Sequence, residues 1–201
     1  IYEPNLLRWL YFRKSPDQSF ELAFNTEIYR QYDEYDAGHK EDNAIPFRQA
    51  VGFGQIVQWQ EDKLQTILQA LDLSYDSGSV SRRLLLARNW LIKYNPEEVI
   101  VLNDSVNTAF ARTLTDIQKQ QIQRLRDELI KMEGASITDL ETLVYSIPKA
   151  PHLTEAELKK EQRLFFKKVY NLLIGKDAGP RLGTFLWAVD KKRVIELLHI
   201  S

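Results

Sequence analysis

Six cations near the end of this 201-residue chain have the types and spacing to meet phosphate: Lys160, Arg163, Lys167, Lys168, Lys176 and Arg181. Lys160, Arg163 and Lys167 recur at i, i+3 and i+7, so on a helix they form one stripe. The helical rise spreads that stripe over about 11 Å, the span of one or two phosphates. Lys176 and Arg181 fall in the turn that would follow the helix, so the patch is larger than one element. Binding that neutralised several phosphates would be steeply salt-dependent. A solvated helix face accounts for the same stripe, and composition alone favours that reading.

Other candidate groups offer less. Tyr32-Asp33-Glu34-Tyr35-Asp36 places three carboxylates in five residues, but a helix fans them around its circumference instead of converging them on a metal. His39, His152 and His199 stand apart from one another and from any nucleophile pattern, so neither a triad nor a metal ligand set is expected. Trp9, Tyr11, Phe12, Phe20, Phe24, Tyr29, Tyr32 and Tyr35 make the first third aromatic. Base stacking is open to such residues, yet most of them fit a buried face. The chain has no cysteine. That excludes a thiolate zinc site, a disulfide framework and a cysteine nucleophile, and fits a reducing compartment. There is no Walker motif, no Gly-x-Gly-x-x-Gly and no His-x-Gly-His, and Lys14-Ser15 runs into Pro16. No catalytic residue, cofactor site or metal site is expected here.

The elements that position these groups are helices. Pro4 opens a helix to about Lys14, stopped by Ser15-Pro16-Asp17. Phe20, Leu22 and Phe24 alternate with Glu21 and Ala23, a short extended segment. Asn25 can cap a helix ending at Gly38, with Ile28, Tyr32 and Tyr35 on one face. Pro46 starts a helix over 46–59 despite Gly52 and Gly54, and a further helix spans 61–71. The polar run Ser74–Ser79 reads as a linker, giving expected domains 1–75 and 76–201. In the helix 80–94, Leu84, Ala87, Leu91 and Tyr94 face inward, with Arg82, Arg83, Arg88 and Lys93 on its surface. Three capping boxes, Thr115–Gln118, Thr138–Glu141 and Thr154–Glu157, start helices 116–132, a two-turn helix ending at Pro148, and 155–174. Gly175 ends the last of these in the left-handed conformation. Pro180 then takes a first helical position, with Leu182, Phe185, Leu186 and Val189 on one face. Asp190 caps a last helix carrying Val194, Leu197 and Leu198. Two glycines flank Arg181 and would let another backbone or a phosphate come close. The expected fold is an all-α multi-helix bundle with one short extended segment near 20–24.

With 44 % apolar and 27 % charged residues, the chain is ordinary globular protein. Net charge is −1, against a wholly basic nucleic-acid binder, but its distribution is uneven. Residues 149–201 carry 11 Lys and Arg against 6 Asp and Glu, while residues 1–148 carry 16 against 22. A basic quarter on an acidic body suits a localised phosphate-binding face. Apolar runs are only a few residues long, so neither a transmembrane helix nor a signal peptide is expected. The start at Ile1, without methionine, reads as a fragment of a cytoplasmic protein.

The run Gly179-Pro-Arg-Leu-Gly-Thr-Phe-Leu186, followed by Asp190-Lys-Lys-Arg-Val-Ile-Glu-Leu-Leu198, resembles the C-terminus of class I lysyl-tRNA synthetases and, more distantly, of glutamyl-tRNA synthetases. The opening Tyr2-Glu-Pro-Asn-Leu-Leu-Arg-Trp-Leu-Tyr-Phe-Arg-Lys14, with Phe24-Asn25 and Tyr32–Asp36, is similar to the segment after the second ATP-binding signature of the lysine enzymes. The resemblance spans nearly the whole chain. It implies a parent enzyme that activates lysine with ATP on an upstream catalytic domain and esterifies it to tRNA. This chain would be the stem-contacting segment and the α-helix cage that meets the anticodon arm, inactive alone and with no cofactor of its own. Gly179, Pro180, Arg181, Leu182 and Gly183 match the family motif and would shape the turn, leaving Arg181 free to meet RNA. Thr184 stands where members often carry proline. The implied partners are the lysine tRNA and the catalytic domain, with neither membrane nor DNA. A glutamyl-tRNA synthetase region and a helical protein-interaction module with a basic patch are the alternatives.

Overall fold

The computed structural model describes residues 1–15, 17–19 and 21–200, without the side chain of Glu41. Among them are eleven α-helices and no strand. The chain divides into two compact units, Ile1–Val99 and the residues from Ile100 on.

In the first unit, α1 (Pro4–Phe12) starts with Pro4, whose missing N–H is one that no helix would use. It buries Leu6 and Leu10, while the aromatic side chains of Tyr11 and Phe12 are exposed. Helix α2 (Glu27–Gly38) buries Ile28, Tyr32 and Tyr35, as their spacing predicts. The expected stop at Pro16 and the start of the extended segment at Phe20 lie outside the described residues. Residues 21–23 pair with no strand; they are tied by Gln31 Nε2, which donates to the Glu21 carbonyl at 3.0 Å, and by the Ala23 N–H, which donates to the Tyr2 hydroxyl at 2.8 Å.

Helix α3 (Phe47–Ile56) is followed by Gln58 and Trp59, both at positive φ. This turn folds the Trp59 ring onto Gly54, where a Cβ would meet it at 2.4 Å, so a helix-weakening glycine has a packing reason. Helices α4 (Glu61–Ala70) and α5 (Ser77–Tyr94) complete the unit around Phe47, Ile67 and Trp90. The unit boundary falls after Val99 and not at 75: Asp76, inside the polar run, caps α5 by accepting from Ser79 N–H, and α5 packs along α3.

Arg83, expected on the surface of α5, is 1 % exposed. Its guanidinium donates to Glu3 at 2.6 Å, to both Asp36 oxygens at 2.6 and 2.7 Å and to the Ile45 carbonyl at 2.6 Å, and lies over the Tyr32 ring. Burial opposes the charge, but the hydrogen bonds that it donates to Asp36 and Glu3, with their negative charges, outweigh it and hold the guanidinium pKa above its ordinary value. The carboxylates of residues 32–36 therefore do fan out, with Asp36 on Arg83 and Glu34 on Arg13 and Arg30.

The second unit opens with α6 (Thr108–Ala111), a single turn capped by Asn107 that the periodicity does not reveal. Helix α7 (Asp116–Lys131) has the predicted Thr115–Gln118 box and buries Ile122, Leu125 and Leu129. The box of α8 (Ile137–Ser146) is Ser136–Asp139, two residues before the expected Thr138–Glu141. An aspartate fills the position where the usual motif carries Glu or Gln. Helix α9 (Glu155–Ile174) has the Thr154–Glu157 box and ends at Gly175, φ 67°. Its terminal carbonyls are taken by Asn103 and Asn107, whose side chains donate to the Leu172 and Asn171 carbonyls at 2.9 and 3.2 Å. Helix α10 (Leu182–Ala188) begins after Arg181, so Pro180 lies two residues before the first helical residue and not at the first position. Helix α11 (Lys191–Leu197) is capped by Asp190 as expected. Phe165, Leu173, Phe185 and Leu197 form the centre of this unit.

Candidate nucleic-acid interface

Helix α9 is amphipathic because Phe165, Val169, Leu172 and Leu173 turn inward. Its other side carries Lys160, Arg163 and Lys167, all exposed, which confirms the stripe as a surface feature. Arg163 and Lys167 line a groove of about 420 Å3 between α8, α9 and the turn over residues 177–183. Arg181 lines it from the turn. Three of the six cations singled out by sequence thus converge, while Lys160 lies further along α9, outside the groove lining.

The other two differ. Lys168 is 8 % exposed on the inward side of α9, and burial pushes its ammonium pKa below the ordinary value, with Glu161 partly opposing. One residue's rotation from Lys167 is enough to move it off the exposed stripe, and Lys168 is buried where a surface cation was expected. Lys176 is half-buried in the turn and makes an internal interaction.

The groove also has acids. Lys167 Nζ is 2.7 Å from Asp177, whose carboxyl is further held by Asn171 Nδ2 at 2.9 Å. These contacts, led by that with Lys167, keep the Asp177 pKa below the usual carboxylate range. Arg181 lies 3.8 Å from Glu141, with its side chain largely exposed. Both pairs are solvent-facing, where screening by water leaves ion pairs weak.

The two glycines beside Arg181 are occupied by the protein itself. A Cβ on Gly183 would lie 2.8 Å from the Glu141 backbone nitrogen, so this glycine seats α10 against α8. A Cβ on Gly179 would meet the Tyr170 ring at 2.7 Å. The Tyr170 hydroxyl donates to the Pro180 carbonyl, and burial raises its pKa. Gly183 is buried and leaves no bare backbone for a phosphate, whereas Gly179 remains exposed.

Sequence reasoning missed the aromatic part of the groove. Tyr145 on α8 is half exposed and meets Phe166 edge-on, centroids 5.1 Å apart. Arg163, Phe166, Lys167 and Tyr170 stand at i, i+3, i+4 and i+7, a signal that this face of α9 is cationic and aromatic together. Among the described residues, no group of three or more His, Asp or Glu is placed to hold a metal, and no helix is long and apolar enough to cross a membrane.

An all-α chain with a cationic groove has many possible relatives, and curated proteins similar to this one are aminoacyl-tRNA synthetases. Those relatives are lysine–tRNA ligases. The chain is 31 % identical to the Streptomyces coelicolor lysine–tRNA ligase over 98 % of its own length and 41 % of that protein. It is 25 % identical to the Archaeoglobus fulgidus lysine–tRNA ligase over its full length and 42 % of that protein. A stretch covering 56 % of the chain is 35 % identical to the Methanocaldococcus jannaschii lysine–tRNA ligase. The chain spans about two fifths of the length of the curated relatives that it matches end to end. No family model matches it.

Proposed function

We propose that this chain is the tRNA-docking region of a class I lysine–tRNA ligase, meeting the anticodon arm while an upstream catalytic domain activates lysine with ATP. Similarity to lysine–tRNA ligases along the whole chain is the observation that carries this reading. The exposed cations Lys160, Arg163, Lys167 and Arg181 supply the phosphate contacts. The chain itself has no catalytic role and works in the cytoplasm with the lysine tRNA as partner.

Gel-shift titration with the lysine tRNA and an anticodon-substituted copy tests this directly. The unaltered tRNA binds more tightly, with affinity falling steeply as salt rises. Replacing Lys160, Arg163 and Lys167 by alanine weakens binding and lowers the salt slope by about 2–3, one unit per lost phosphate contact, with helicity by circular dichroism unchanged. Unchanged affinity in the folded triple variant would remove this face as the contact, and equal binding of both tRNAs would remove the anticodon.

A further inference from the structure

The groove holds more than positive charge. Tyr145 presents a half-exposed ring, braced by Phe166, on one wall. Lys167 and Arg163 lie along α9, and Arg181 lines the same groove from the turn. The Lys167 ammonium already has an anion on it, the Asp177 carboxylate, which Asn171 holds in place. That carboxylate occupies the position an incoming phosphate oxygen would take. The volume, about 420 Å3, lies in the roughly 300–1,000 Å3 range of small-ligand clefts. A flat π-face beside cations suits a ligand that is itself a flat ring joined to one phosphate. An acidic peptide would satisfy the cations but offer Tyr145 no plane to stack on.

We infer that the groove receives one unstacked nucleotide of a single-stranded RNA segment, its base on Tyr145 and its phosphate replacing Asp177 on Lys167. This rests on the RNA-docking reading and adds the place, the ligand unit and a resident carboxylate that competes with it. Because Asp177 is mostly exposed, its hold on Lys167 is weak enough for a phosphate to displace.

The test measures fluorescence anisotropy of a labelled single-stranded RNA pentamer, an RNA duplex of equal length and the lysine tRNA, each with the 201-residue chain. The single strand binds better than the duplex. Tyr145→Leu, which still covers Phe166, lowers single-strand affinity by about five- to a hundredfold, the effect of losing one stacked base, while Tyr145→Phe retains it. Asp177→Asn raises affinity about two- to fivefold, the effect of removing one exposed competitor. A folded Tyr145→Leu chain with unchanged affinity overturns the proposal, as does weaker binding by Asp177→Asn. Displacement of the RNA by an acidic peptide of equal charge overturns it too. Tight tRNA binding that survives both variants unchanged sinks this inference alone. Absence of tRNA binding at low salt removes the docking reading, and this inference with it.

Discussion

At the scale of single residues, one buried polar group of the second unit is unsatisfied among the described residues. Thr184 is fully buried and its hydroxyl has no hydrogen-bond partner. Such a group costs about 1–3 kcal/mol relative to a satisfied or apolar one. Thr184→Val keeps the shape and removes the hydroxyl, so urea unfolding of the variant shifts to higher midpoint with about 1 kcal/mol of added stability; an unchanged or lower midpoint would show that the hydroxyl is satisfied. No single-chain pattern flags this residue, because a threonine on an apolar helix reads as ordinary. Lys168 has the same problem in reverse. Its type and its neighbour Lys167 suggest solvent, and only the packing of α9 shows that Lys168 lies on the buried side.

At the scale of elements, the helices were legible wherever a terminus had a local chemical signature. The Thr115 and Thr154 boxes and Gly175 locate α7 and α9, because a capping side chain acts within three residues of itself. Helix α6 and the true start of α8 were not, since one is a single turn and the other uses an aspartate where the motif names Glu or Gln. The packing of α10 on α8 was invisible for another reason. Gly183 and Glu141 are far apart in sequence, and nothing in either segment announces their contact. Gly183→Ala places a methyl against backbone that cannot rotate away, so the helices must separate. The expected cost is about 1–3 kcal/mol from overpacking, read as a lowered unfolding midpoint. An unaffected midpoint would mean that the two helices yield without penalty.

At the scale of the molecule, each unit encloses its own apolar centre, and the groove belongs wholly to the second. The first unit has instead a polar keystone. Arg83→Leu leaves Glu3 and Asp36 without a counter-charge, a change that costs about 3–5 kcal/mol when an ion pair is buried. Hydrogen exchange should then show faster amides in α1, α2 and α5 with α7 and α9 unchanged; protection lost equally in all five would contradict independent cores. The resemblance at both ends of the chain indicated a synthetase region, yet Arg83 read as a surface cation because its partners lie up to 80 residues away. That separation has a consequence for synthesis on the ribosome. The acids at positions 3 and 36 emerge long before the guanidinium that neutralises them, and closing so long a loop carries an entropic cost. The opening segment therefore leaves the exit tunnel hydrated and unfinished, and locks only when α5 follows it out.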